Sequence, residues 1–152
     1  MKDNQVRKGR WTMTTGAKTD MQYLDFQAAV GITKHNGGFP ATDLLLGRCH
    51  IENAREMLEV GCGIGVGPSY VAKKWGCRVV GVDLMPQMVA WSRQRAREEK
   101  VERLTQFQVA DVLDLPFETN RFDVVGCQSV LAFGKDKQRA PAELIRVARP
   151  GG

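Results

Sequence analysis

The chain has 152 residues, a length that suits one compact domain, and a net charge of +5 from 22 basic and 17 acidic residues. Hydrophobic residues make up 43% and charged residues 26%, which excludes a disordered or collagen-like chain. No apolar run approaches the roughly 20 residues of a membrane-spanning helix, the N-terminus lacks the apolar core of a signal peptide, and the scattered basic residues do not indicate nucleic-acid binding.

Residues 1–53 are predicted to form a basic N-terminal arm followed by cap helices. The first 20 residues are polar and rich in Lys and Arg, which is typical of an arm with little order. Apolar positions then allow a short helix over residues 20–30, and the Gly-rich and Pro-containing stretch at 35–40 is expected to break it. A second helix is predicted to begin at Thr42, whose hydroxyl would cap its free N–H groups.

Residues 54–152 alternate between strand and helix patterns. Strands are predicted over 57–60, 78–83, 104–109 and 122–127, and helices over 68–75, from Pro86, and over 136–148. The last helix is expected to turn Leu144, Ile145 and Ala148 toward the core. Strands separated by such helices form parallel βαβ units with right-handed crossovers. The predicted fold is therefore α/β, a Rossmann-like parallel sheet with helices on both faces.

The four cysteines indicate reduced thiols. Cys49, Cys62, Cys77 and Cys127 are widely spaced, without a CxxC pair or a nearby His cluster that would form a metal site. No metal is therefore expected, and the location predicted from the thiols and the missing export signal is the cytoplasm.

The segment from Glu59 to Gly67 places four alternating glycines between the first strand and the following helix. Without Cβ atoms, the loop turns sharply and lets a ligand lie against peptide N–H groups at a helix N-terminus. The dinucleotide fingerprint GxGxxG would need a glycine where this chain has Val66. A nicotinamide-dependent oxidoreductase is therefore the less favoured alternative.

Acidic residues lie at or near the ends of the first three strands, at Glu59, Asp83 and Asp111. Ligands of open parallel sheets lie across the carboxyl ends of the strands, so Asp83 could accept hydrogen bonds from both hydroxyls of a ribose. Capping of the next helix is the alternative role. Three carboxylates would repel a pyrophosphate, whereas a ligand with a cationic centre and an amino group would be attracted.

Four segments in this order resemble the class I S-adenosylmethionine-dependent methyltransferases. They are EVGCGIG, VVGVDL, QVADVLDLPFETNRFDVV and ELIRVARPGG. The similarity is to the small-molecule branch, which includes the ubiquinone and menaquinone methylases, and it spans about residues 35–152. It implies S-adenosylmethionine as the cofactor and transfer of its methyl group to a small-molecule acceptor by in-line displacement.

The resemblance also implies a set of cofactor-binding positions. These are Glu59, Gly61, Cys62, Gly63, Gly65, Asp83, Leu84, Met88, Asp111, Val112 and Gln128. In the family pattern the glycine loop receives the methionine end, Glu59 holds its amino group and Asp83 binds the ribose.

At the adenine end, the same pattern has Leu84 and Met88 enclose the ring. Asp111 accepts from the adenine amino group, and the Val112 N–H meets a ring nitrogen. Gln128 contacts the methionine end or the acceptor. No catalytic residue is assigned, because a sulfonium is already a good leaving group and the protein mainly aligns the reactants.

The chain departs from the family at its end, since it stops where strand five would begin. Only strands in the order 3-2-1-4 are expected, without strands 5–7. Strand four would then be an exposed edge, able to pair with another chain or a second copy. We therefore expect part of a longer methyltransferase, with a non-catalytic S-adenosylmethionine-binding module as the alternative.

Overall fold

A computed structural model of the chain describes residues 37–131, 136 and 138–152. The predicted arm and the predicted helix over residues 20–30 lie outside these residues. The elements, in chain order, are α1 (Gly38–Arg48), a 3-10 turn (Ile51–Asn53), β1 (Glu56–Val60), α2 (Val66–Trp75), β2 (Arg78–Asp83), α3 (Pro86–Glu98), β3 (Thr105–Val109), β4 (Val124–Cys127) and α4 (Arg139–Val147). No helix among them is long and apolar enough to cross a membrane.

The four strands form one parallel sheet in the order β3-β2-β1-β4. Leu58 in β1 lies between Val80 in β2 and Val125 in β4, so all three strands run in register toward the same edge. The predicted Rossmann-like sheet and its strand order are confirmed. Because the strands are parallel, the loops that follow them meet at the carboxyl edge of the sheet.

Hydrophobic side chains alternate between the two faces of the sheet and bury both of them. On one face, Met57, Val79 and Phe107 pack with residues of α1, α2 and α3. On the other face, Leu58 and Val80 belong to a second cluster that includes residues of α4 and of the segment before β4. Burial of β2 on both faces explains its nearly continuous apolar sequence, whereas β3 alternates between buried and more exposed residues.

Helix α1 begins at Gly38, four residues before the predicted start. Pro40 lies in its first turn, where the missing N–H of proline has no intrahelical partner to lose. Thr42 is buried in the second turn and its hydroxyl donates to the Gly38 carbonyl oxygen at 3.3 Å, so the predicted capping role was wrong. Phe39 stacks on Tyr70 of α2, with ring centroids 4.0 Å apart, and joins α1 to the sheet domain.

Helix α4 presents a different face to the core from the one predicted. Ala140 and Val147 are fully buried and Leu144 is partly buried, whereas Ile145 is 74% exposed. Positions 140, 144 and 147 share one stripe of a helix with 3.6 residues per turn, and position 145 falls outside it. The expectation that Ile145 faces inward was wrong.

Candidate functional site

A row of polar side chains follows the carboxyl edge of the sheet. Asp111 comes two residues after β3, Asp83 ends β2, Glu59 is the penultimate residue of β1, and Gln128 comes directly after β4. Because these strands are neighbours, the row crosses the sheet in the order 111, 83, 59, 128. Three strand spacings of about 4.8 Å make it about 14 Å long. The edge can therefore hold an elongated ligand with several polar groups.

The glycine loop between β1 and α2 is tied to the end of β2. The N–H groups of Gly61 and Cys62 both donate to the Val82 carbonyl oxygen, at 2.7 and 3.0 Å. A Cβ added to Gly61 would lie 1.9 Å from a methyl group of Val130, and one added to Gly65 would lie 2.9 Å from the Cα of Ser92. The loop thus needs glycine at both positions because other segments press directly against it.

The Asp83 carboxylate is oriented by two backbone N–H groups. Oδ2 accepts from the N–H of Gly63 at 2.9 Å, and Oδ1 accepts from the N–H of Met85 at 3.0 Å. Burial raises the pKa of Asp83, against the opposing effect of these donors. An ionised carboxylate has about four acceptor positions, so each oxygen keeps capacity for a ligand hydroxyl. Asp83 therefore orders the local loop and keeps acceptor capacity for a ligand.

Glu59 lies beneath the first turn of α2. Its carboxylate oxygens would be 2.5 Å from a Cβ added to Gly67, so a side chain at position 67 would displace them. Within the described residues, no hydrogen-bond donor contacts this carboxylate, and burial raises its pKa to about 8. Glu59 is partly buried, and a carboxylate that is withdrawn from water without a donor is costly to keep in a folded protein. Its surroundings favour the arrival of a cationic group.

The apolar residues predicted to enclose adenine divide between two clusters. Leu84 is partly exposed and packs against the cluster that contains Val112, the chain neighbour of Asp111. Met88 is 3% exposed and belongs to a separate cluster with Ile64. The structure thus brings Leu84, Val112 and Asp111 together and leaves Met88 little surface to offer a ligand. The Oδ1 atom of Asp111 accepts from the Leu113 N–H at 3.0 Å, which fixes the turn after β3.

Cys62 and Gln128 differ in their exposure to solvent. Cys62 is 5% exposed, and burial, together with the charges of Asp83 and Glu59, raises the pKa of its thiol well above the usual value. The thiol therefore packs rather than reacts. Gln128 is partly exposed, and its Oε1 lies 3.4 Å from the Thr42 hydroxyl oxygen, which brings α1 close to the end of β4.

Two residues of α3 hold the glycine loop without having been assigned to the site from the sequence. The Ser92 hydroxyl donates to the Gly63 carbonyl oxygen at 2.8 Å, and Arg95 Nε donates to the Ile64 carbonyl oxygen at 3.1 Å. The sequence placed Ser92 only on the inward stripe of α3. Its polar character among apolar neighbours was the one signal of this contact. Among the described residues, no group of three or more Cys, His, Asp or Glu side chains could hold a metal ion.

The part of the chain that carries these site residues matches a known family. Residues 58–152 match the model of a family described as a methyltransferase domain. The chloroplastic tocopherol O-methyltransferase of Arabidopsis thaliana is 38% identical over 98 residues, which cover 64% of this chain and 28% of that protein. Norajmaline N-methyltransferase of Rauvolfia serpentina is 35% identical over 97 residues, which cover 64% of this chain and 33% of that protein.

A solved structure extends the comparison to the fold. Phosphoethanolamine N-methyltransferase 2 of Haemonchus contortus, in complex with phosphomonomethylethanolamine and S-adenosylhomocysteine, superposes with a TM-score of 0.67 at 31% identity. The match covers 75% of this chain and 27% of that chain. The present chain thus spans a third or less of the length of these three relatives.

Proposed function

Because this chain belongs to the methyltransferase domain family, we propose that its carboxyl edge binds S-adenosylmethionine and that the protein methylates a small-molecule acceptor. The observation that carries the proposal is the Glu59 carboxylate, which is held against the glycine loop with no donor of its own among the described residues. A ligand that brings a cation to this position would supply the charged donor that the carboxylate lacks. The amino group of the cofactor's methionine end is such a cation.

The remaining polar groups suit the rest of this cofactor. The Asp83 oxygens accept from backbone N–H groups and keep acceptor positions for ribose hydroxyls. The loop residues Gly61, Cys62, Gly63 and Gly65 would surround the methionine end through their backbone. Gln128, on the far side of Glu59, would contact that end or the acceptor.

The adenine would lie beyond Asp83, at the end of β3. Asp111 would accept from the adenine amino group and the Val112 N–H would donate to the ring. Leu84 would cover one face, because it is partly exposed and packs against the cluster that contains Val112. Met88, which is almost fully buried, would support this end from behind rather than form the second wall.

When bound, the cofactor supplies a methyl group on a sulfonium, a good leaving group. The chain's own residues then need to hold the methionine end still, exclude water and leave the methyl group facing the acceptor. Alignment of this kind lowers a barrier by up to about 7 to 11 kcal/mol. A general base is not required when the acceptor is already nucleophilic.

The proposal extends to the surroundings of the site. Residues 1–53 would act as arm and cap over the domain of residues 54–152. In the described part of the chain β4 pairs only with β1, so its other edge is suited to a further strand or a second copy of the chain. The cysteines of the described residues are free thiols, which supports a cytoplasmic location.

Calorimetric titration of the folded chain tests the cofactor first. We expect binding of S-adenosylmethionine and S-adenosylhomocysteine, no binding of NAD, and an affinity at least about 50-fold lower for Asp83→Ala, because hydrogen bonds to a charged group are lost. Asp114→Ala, an exposed acid near the same edge, should bind like the wild type. NAD binding, or no binding by a folded chain, would contradict the proposal.

Methyl transfer is tested in a second step. The chain is incubated with S-adenosylmethionine that carries a labelled methyl group and with small phenols, amines and carboxylic acids. Label in one acceptor class that is lost in Asp83→Ala would support methyl transfer. Cofactor binding with no transfer to any class would support the non-catalytic binding module instead.

A further inference from the structure

We propose that Ser92 is a positioning residue that fixes Asp83 in its cofactor-binding orientation by holding Gly63. This inference rests on the proposed function, since it concerns how the ribose site is kept in place. Ser92 is on α3, while the other two residues belong to the glycine loop and to β2. It does not contact the cofactor itself.

Two short hydrogen bonds meet at Gly63. The Ser92 hydroxyl donates to its carbonyl oxygen at 2.8 Å, and its N–H donates to Asp83 Oδ2 at 2.9 Å. The peptide groups on both sides of Gly63 are therefore held by side chains from different elements. The direction of the N–H that reaches Asp83 depends on both contacts.

Gly63 depends on such contacts because of its own conformation. It has a φ of 53°, in the left-handed region, and as a glycine it also populates other regions freely. Nothing in its covalent structure selects the orientation that points its N–H at Asp83. Ser92 restricts the peptide that follows Gly63, and Arg95 Nε restricts the next one by donating to the Ile64 carbonyl oxygen at 3.1 Å.

The packing around Ser92 explains why a small hydroxyl residue acts here. Ser92 is fully buried, and its Cα and Cβ would each lie 2.9 Å from a Cβ added to Gly65. Helix α3 thus approaches the loop so closely that a bulky side chain at position 92 has no room. The Cys62 thiol, 3.8 Å from the hydroxyl, is a weak competitor for it. The hydroxyl is therefore available to donate to the Gly63 carbonyl oxygen.

The test compares Ser92→Ala with Ser69→Ala. Both serines are fully buried, and the Ser69 hydroxyl has no hydrogen-bond partner in the described part of the chain. The control therefore makes the same chemical change without removing a hydrogen bond. Calorimetry measures the Kd of S-adenosylhomocysteine and of its 2′-deoxyribose analogue for each variant of the full 152-residue chain.

We expect Ser92→Ala to raise the Kd of S-adenosylhomocysteine about fivefold, the effect of one lost hydrogen bond. Because Ser92 acts through Asp83, the preference for the ribose ligand over the deoxyribose ligand should shrink as well. Ser69→Ala should match the wild type for both ligands. Equal weakening of both ligands by Ser92→Ala, or no weakening, would overturn the inference.

A ligand-free measurement separates this inference from the proposed function. Hydrogen exchange of the Gly63 amide, followed by NMR, should become about tenfold faster in Ser92→Ala and stay unchanged in Ser69→Ala. If the wild type bound neither ligand, the proposed function would fail, and an unchanged Gly63 exchange rate would overturn the Ser92 contact as well.

Discussion

Asp123 at the amino end of the sheet and Glu59 at the carboxyl end differ in their hydrogen-bond donors and in the direction of their pKa shifts. At the amino end, Asp123 accepts from the N–H groups of Arg55 and Glu56 at 2.8 and 2.9 Å and pairs with Arg149. Although burial opposes them, these contacts hold the pKa of Asp123 below its usual value. At the carboxyl end, Glu59 has no donor within the described residues and burial raises its pKa to about 8.

The difference distinguishes an acid that stabilises the fold, Asp123, from an acid that does not, Glu59. Asp123 joins β1 to β4 and compensates its own burial with hydrogen bonds. The Glu59 carboxylate lowers the stability of the ligand-free fold. Binding of a cation beside the glycine loop would offset this loss. Perturbed acids of this kind concentrate at functional sites. Substitutions at the two ends should therefore differ in sign as well as in size.

Gly65→Ala should have the largest effect. The new Cβ would lie 2.9 Å from backbone and side-chain atoms of Ser92, at a φ of 78°. The conformational and packing terms together predict a loss of about 3 to 5 kcal/mol of unfolding free energy, measured by urea denaturation. Gly76 at the amino end has a similar φ of 67° but open space, so Gly76→Ala should cost only about 1 kcal/mol. Equal losses would show that the loop is not crowded.

Glu59→Gln should stabilise the ligand-free chain by about 3 kcal/mol at pH 8. The folded-state pKa of about 8 lies above the usual value of 4.5, so between these values the folded chain holds a proton that the unfolded chain has lost. Wild-type stability therefore falls as the pH rises through this window. The glutamine variant, which cannot ionise, should not show that fall.

The same substitution should weaken cofactor binding. Affinity of the wild type for S-adenosylhomocysteine should rise between pH 6 and pH 8, as the binding of a cation expels the proton from Glu59. Glu59→Gln should bind more weakly, with no such rise. Thermal denaturation and calorimetry across this pH range measure both effects, and a variant that lost stability would contradict the contrast between the two ends.

Asp123→Ala should destabilise the chain by about 2 kcal/mol and leave cofactor affinity unchanged, because the backbone N–H groups of Arg55 and Glu56 at the start of β1 lose their charged acceptor. The lowered pKa means that the stabilisation is present above the usual value of 3.8 and is lost as the pH falls through the folded-state value. Urea denaturation at pH 7 and at pH 3 should show a smaller difference between variant and wild type at the lower pH.

The elements that could be predicted from the sequence are those with local signals. The strand of residues 78–83 and the helix that begins at Pro86 appear as predicted, because β-branched runs and a proline in the first turn act locally. The order of Asp111, Asp83, Glu59 and Gln128 along one edge followed from parallel topology. These features supplied most of the candidate site.

What escaped prediction depends on contacts between distant residues. The Ser92 hydroxyl meets a carbonyl group 29 positions away, and no spacing along α3 indicates which partner it has. Met88 and Leu84 are four residues apart and were expected to enclose one ring, yet they pack into separate clusters. The orientation of α4 was wrong at Ile145 because a one-residue change of helical phase moves a side chain from core to solvent.

Glu56→Gln should have the smallest effect and is the matched control for Glu59→Gln, three residues earlier on the same strand. Glu56 contacts the Arg121 guanidinium at 3.3 Å, and both side chains are partly exposed, so the loss should not exceed about 0.5 kcal/mol. Cofactor affinity should be unchanged. If Glu56→Gln instead stabilised the chain as much as Glu59→Gln, removal of either carboxylate from β1 would suffice, and the lack of a donor at Glu59 would not explain its behaviour.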